Sequence, residues 1–215
     1  MSYPMAYDLF VATGETLYMV VTSMLFAILL GLPLGTLLYT TKRVKLMPKL
    51  HKALSIFINM SRSIPFIILL VAIIPFTRII VGTSIGINAA IVPLTLGATP
   101  FFARLVDNVY QSLPNGLIET GYAMGATTKQ IILHILLPEA KPGLIHAITV
   151  TAITLVNYSA MAGTVGAGGL GTLAINYGYQ RFDAGVMAST VIVLIIMVQM
   201  IQMMGDHLAK RFLHH

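Results

Sequence analysis

Residues 114–138 read PNGLIETGYAMGATTKQIILHILLP, the longest stretch of the chain that is neither a continuous apolar run nor a run of basic residues. The residues spell two short helices with a break between them. Pro114 ends what precedes it, and Asn115 can cap a first helix whose opening turn carries Glu119, a carboxylate favoured near the positive helix end. Gly121 and Gly125 weaken that helix and offer a turn. Thr127 then starts a second helix through a capping box, Thr127-x-x-Gln130, ahead of the apolar Ile131, Ile132, Leu133 and Ile135. Pro138 closes the unit. Hydrophobic segments flank it on both sides.

Those flanking segments set the class. Hydrophobic residues make up 57% of the 215, charged residues 9%, and the mean hydropathy is +0.86, whereas roughly a quarter of a soluble domain is charged. The expected fold is an all-α integral membrane protein, one transmembrane domain over residues 1–215. Its five transmembrane helices lie at about 16–41, 53–77, 87–109, 142–162 and 184–205, with the two-helix loop at 114–138. The opening residues, MSYPMAYDLF, lack a basic stretch followed by a cleavable apolar core, so no signal peptide is read there. With Cys 0, disulfides, thiolate metal sites and cysteine nucleophiles are excluded.

In the first span Gly31, Pro33 and Gly35 predict a kink or a close helix contact, and Glu15 lies just outside it. A dense positive cluster follows, with Lys42, Arg43, Lys45, Lys49, His51 and Lys52. Because it abuts a span, it reads as an anchoring loop and not as a phosphate or nucleic-acid site. The second span carries Arg62 and Pro65 near its cytoplasmic start. Arg62 either snorkels to the interface or pairs across helices. Pro75 should end this helix, leaving Arg78 to Gly86 as a short loop.

The third span is expected to kink at Pro93 and Pro100, with Arg104 and Asp107 neutralising each other at i,i+3. Between Pro142 and Gln180 no residue is charged, yet the segment is too long for one helix. Its helix should end near Met161, where a glycine run begins. Gly166-x-Gly168-x-x-Gly171 matches a dinucleotide fingerprint by letter but lacks the βαβ context and a downstream acid. These glycines either let backbone approach backbone or form a non-helical segment facing an aqueous path.

Charge fixes an expected orientation. Of the 13 Lys and Arg, Lys42, Arg43, Lys45, Lys49, Lys52, Arg104, Lys129, Lys141, Lys210 and Arg211 fall on the side of the 114–138 loop, against Arg78 and Arg181 opposite, leaving aside Arg62. The positive side is cytoplasmic, so the loop and the C-terminus face the compartment that holds ATP.

The chain has no P-loop, no H-E-x-x-H and no nucleophile elbow, so no catalytic residue, cofactor site or metal site is assigned. His134 and His146 read as interfacial, and no metal site is attached to His214 and His215. All seven acids fall at or outside span ends, which argues against a proton- or sodium-coupled carrier.

Glu119, then Gly125, then Ile135-x-Leu137-Pro138 resembles the EAA motif of ABC-importer permeases, although the usual Glu-Ala-Ala opening reads Glu119-Thr120-Gly121 here. In that family the motif forms coupling helices that dock in a groove of the ATP-hydrolysing subunit. The resemblance therefore implies ATPase coupling for Glu119, Thr120, Gly121, Ala123, Met124, Gly125, Ala126, Thr127, Ile135, Leu137 and Pro138. The whole chain resembles the permease subunits of methionine ABC importers. The stretches that carry this are Arg62-Ser63-Ile64-Pro65-Phe66, Ile74 to Arg78, Val81 to Gly86, and Tyr158-Ser159-Ala160-Met161 leading into the glycine run.

That resemblance implies a type I importer permease in the bacterial inner membrane that acts as a homodimer. Its partners would be two ATPase subunits carrying ATP and Mg²⁺, an external substrate-binding lipoprotein and membrane lipid, with no nucleic acid. Tyr158, Ser159 and Met161 would line the path. Permeases for osmoprotectants such as betaine, or for other amino acids, are the neighbouring alternatives, and a secondary amino-acid carrier is the alternative from another class. Trp 0 removes the best ring for a quaternary-ammonium cage.

Overall fold

A computed structural model describes residues 3–44, 47–114 and 116–212; the readings made of Lys45, Asn115, His214 and His215 lie outside the described residues. Every regular element among them is helical. The long helices are α1 (Tyr3–Arg43), α5 (Ile87–Gln111), α9 (Lys141–Ala162) and α11 (Ala184–Phe212). Among the described residues four helices are long and apolar enough to cross a membrane, or five if a bent pair counts as one span.

α5 is the axis of the bundle. Leu94, Ala98, Phe102, Val106 and Tyr110 recur every fourth residue and are at most 1% exposed, a stripe that only a helix enclosed along one face produces. α1 packs against it through small residues. A Cβ at Gly31 would come within 2.9 Å of the Phe102 ring, and one at Gly35 within 2.7 Å of the Val106 Cβ. Of the two readings of that glycine pair, close helix contact is the one realised, and α1 remains helical through Pro33. Leu25, Leu29 and Phe26 on α1 stay exposed, as do Ile192, Ile195 and Met200 on α11, where lipid replaces water as the apolar surround.

The expected second span is not one rod. α2 (Pro48–Ser63) and α3 (Phe66–Ala72) meet at 97°. Ile64, at φ −79° and ψ 123°, is extended because the following Pro65 disfavours helical backbone before it. Pro75 does not end a helix. It sits in the first turn of α4 (Ile74–Val81), where its missing N–H leaves no bond unmade, and Arg78 is therefore helical. The loop after it is only Gly82 to Gly86.

The first helix also starts well before Thr16, so Glu15 lies within α1. Its carboxylate Oε2 accepts from the Gly169 N–H at 2.7 Å, and the Thr16 hydroxyl oxygen accepts from the Leu170 N–H at 2.9 Å. These two side chains cap α10 (Gly169–Leu173), the short helix into which the glycine run leads after a 3₁₀ turn at Gly163–Val165. The run brings backbone onto backbone, since a Cβ at Gly171 would lie within 2.7 Å of the Ala160 Cα. Gly86 N–H donates to the Gly166 carbonyl at 3.0 Å, tying the run to the start of α5. A π-helical turn at Ala174–Tyr179 then leads to α11.

Arg104 and Asp107 pair at 3.0 Å, with the carboxylate wholly buried. Arg104 also donates to Asn59 Oδ1 at 2.7 Å and to the Ser55 hydroxyl oxygen at 3.1 Å, and Gln111 donates to Asp107 at 2.8 Å. The pair thus pins α2 to α5.

Candidate functional site

The 114–138 stretch forms α6 (Gly116–Ala123), α7 (Thr128–Gln130), a π-helical turn (Ile131–Leu136) and α8 (Leu137–Glu139). α6 ends in a Schellman motif. The Ala126 N–H donates to the Gly121 carbonyl at 3.0 Å and the Gly125 N–H to the Tyr122 carbonyl at 2.9 Å. Gly125 has φ +77°, the left-handed conformation that such an ending needs. After Ala126, Thr127 opens the next helix with a full capping box. Its N–H donates to Gln130 Oε1 at 2.8 Å, and the Gln130 N–H returns to the Thr127 hydroxyl at 3.4 Å. Local hydrogen bonding thus fixes the exit from the first helix and the start of the second.

Pro138 does not close the unit. The backbone stays right-handed helical through Ala140, and α9 follows at Lys141. Proline has no N–H for the His134 carbonyl and its ring crowds that carbonyl. The wide turn at Ile131–Leu136 lies immediately before it, where it relieves that crowding.

Ile118, Ile131, Leu136 and Ala140 are buried and join the unit to the main core. Gly121 is buried against the second helix. A Cβ there would meet Ile135 Cδ1 at 2.9 Å and Ile131 Cγ1 at 3.0 Å, so the departure from Glu-Ala-Ala at this position has a packing reason. The opposite face is open. Glu119, Thr120, Ala123 and Thr127 are exposed, and Met124 is 81% exposed. Met124, Gly125, Ala126, Gln130, His134 and Ile135 line a shallow depression of about 340 Å³. Leu137 is half-buried and Pro138 exposed at its far end. Among the described residues Glu119 takes part in no ion pair. A rigid ledge with an apolar hollow and an unpaired carboxylate is shaped to meet another surface.

Tyr158, Ser159 and Met161, expected from the resemblance to line a path, do not come together. Tyr158 stacks its ring on Phe66, with centroids 4.2 Å apart and planes 2° from parallel. Ser159 is buried and donates to the Val156 carbonyl at 2.7 Å, while Met161 is exposed. The sequence reading missed Glu15 and Thr16 as caps, whose partners lie 154 residues away. It also missed Phe66 as the partner of Tyr158.

Residues 7–214 match the family described as binding-protein-dependent transport system inner membrane component. The chain is 52% identical over 208 residues to the probable D-methionine transport system permease protein MetI of Vibrio cholerae, spanning 96% of this chain and 92% of that relative. It is 56% identical over 165 residues to the D-methionine transport system permease protein MetI of Escherichia coli K12, spanning 76% of each. A chain of the MetNI methionine ABC transporter, solved in an inward-facing conformation, superposes with a TM-score of 0.97 at 52% identity over 99% of both chains. An amino acid ABC transporter solved with histidines shares the fold at a TM-score of 0.78 and 16% identity, over 96% of this chain and 94% of that one. On the family match and these identities, the chain belongs to the binding-protein-dependent transport system inner membrane components and has the type I ABC importer permease fold.

Proposed function

We propose that this chain is the membrane-spanning permease subunit of an ATP-driven importer of methionine in its D- and L-forms. Two copies form the path between them. Two ATPase subunits carry ATP and Mg²⁺, and an external lipoprotein delivers substrate. The observation that carries the substrate is 52% identity over 99% of both chains with a methionine ABC transporter chain, which leaves almost no segment of this protein outside the likeness.

The coupling surface is the exposed face of the 114–138 unit: Glu119, Thr120, Ala123, Met124, Gly125, Ala126, Thr127, Ile135, Leu137 and Pro138, with Gly121 setting its shape. Its rigid Schellman turn and capping box support this, because a helix-in-groove contact transmits motion only if the inserted unit keeps its shape. The unit and the C-terminus lie in the cytoplasm. Tyr158 and Met161 line the path, with Ser159 packed behind them.

Reconstitution with the cognate ATPase and lipoprotein tests the function. Methionine uptake that requires ATP hydrolysis is the expected result. Uptake driven by a proton or sodium gradient without ATP would overturn it, and uptake of betaine but not methionine would move the substrate.

A further inference from the structure

Arg62 has no role in the reading above. It occupies the last turn of α2, at the 97° break before α3, and its guanidinium carbon lies 5.7 Å from the centre of the Phe101 ring. Phe101 is ten residues before the end of α5 at Gln111 and fourteen after its start at Ile87. A guanidinium packed beside a membrane-spanning helix is costly unless something answers its charge. No carboxylate of this chain does: among the described residues the one ion pair is Arg104–Asp107.

Beside Arg62 is a cavity of about 230 Å³ lined by Ser61, Arg62, Phe66, Gly97, Phe101 and Tyr158, among others. Its walls are fixed. Phe66 and Tyr158 stack on each other, and a Cβ at Gly97 would come within 3.3 Å of the Phe66 ring. At ~30 Å³ per water, the cavity has room for about eight water-sized groups, the scale of a small amino acid. A snorkelling arginine extends along lipid towards the interface. Arg62 folds over an aromatic ring beside a cavity instead.

We propose that this cavity is a transient site on the transport path for an amino-acid substrate, with Arg62 receiving the carboxylate. The inference rests on the import reading and adds the recognition chemistry. A zwitterion crossing the membrane keeps its charge only if the path supplies a partner, and a guanidinium offers a planar pair of N–H donors to a carboxylate. The rings of Phe66, Phe101 and Tyr158 in the cavity wall suit an apolar side chain. The site selects for the shared backbone of amino acids and for a side chain without charge.

The chain has no cysteine, so Ser61→Cys gives a single reporter in the cavity. The complex with its ATPase and binding protein is reconstituted in vesicles, and labelling of the permease is followed with an anionic and a cationic methanethiosulfonate reagent. The anionic reagent should react faster, by roughly tenfold for one nearby charge. Methionine should slow labelling, whereas methioninol, which lacks the carboxylate, should not. Arg62→Gln should abolish both effects and reduce uptake by roughly ten- to a hundredfold, the range for a lost charged hydrogen bond. Arg62→Lys should restore both in part. If the complex imports methionine but its labelling shows no charge preference or no protection, the site is overturned. Unchanged uptake by Arg62→Gln overturns it too. A complex with Arg62 in place that imports no methionine overturns the function beneath it and not the site alone.

Discussion

Gly125 separates conformation from space as the reason for a glycine. A Cβ at Gly125 would meet nothing within 4 Å, so no side chain is refused for lack of room. The constraint is φ +77°, imposed by the Schellman bonds from Ala126 and Gly125 to Gly121 and Tyr122. Alanine there costs about 1–2 kcal/mol, valine more because it branches at Cβ, and asparagine less because it tolerates the left-handed region. At 1.4 kcal/mol per factor of ten, the equilibrium constant favouring the docked shape falls roughly tenfold for alanine and further for valine. The assay is ATP-dependent methionine uptake in vesicles, normalised to permease abundance, with recovery of the ATPase subunit on purification as a second readout. Activity should fall in the order glycine, asparagine, alanine, valine, with membrane insertion equal in all four. Transport by Gly125→Val equal to that of the parent protein would refute the coupling assignment. An asparagine variant as poor as valine would refute the conformational argument while leaving the assignment intact.

Three other outcomes follow from the same contacts. Thr127→Ala removes the hydroxyl half of the capping box and should cost about 1 kcal/mol of local stability, read as faster amide exchange at Gln130, while Thr127→Ser should not. Asp107→Asn leaves the Arg104 guanidinium without its partner and should destabilise the protein by about 3 kcal/mol in a denaturation assay; replacing both residues with apolar ones should cost less. Single cysteines at Thr128 should label only from the cytoplasmic face, and those at Thr83 or Gln180 only from the other; labelling of Thr128 from outside would overturn the orientation.

The parts of this fold that were legible in the sequence are those made by neighbours in the chain. Thr127 and Gln130 are three apart, Arg104 and Asp107 three apart, and Gly121 to Ala126 spans one turn and its exit. Each such interaction is written in a spacing, and the structure contains each of them. Proline was read less well because its effect depends on where a helix starts. Pro75 and Pro138 both looked like terminators, yet Pro75 sits in a first turn where a missing N–H is harmless, and Pro138 is accommodated by the wide turn that precedes it. Pro65 did break a helix, through the extended Ile64 before it.

What the sequence could not show is chemistry shared between distant segments. Glu15 looked like a residue outside a membrane helix because a carboxylate within one has no local partner. Its partner is the Gly169 N–H, exposed only because the glycine run starts a new helix beside α1. The same holds for Arg62, whose alternatives at the sequence level were the interface or another helix. The fold gives it Phe101 and a cavity, but no carboxylate of its own chain. These two charges have opposite fates for one physical reason. A charge packed among helices must be answered, and Glu15 is answered by the backbone of the protein. Arg62 is left facing the space through which, on the import reading, a carboxylate has to pass.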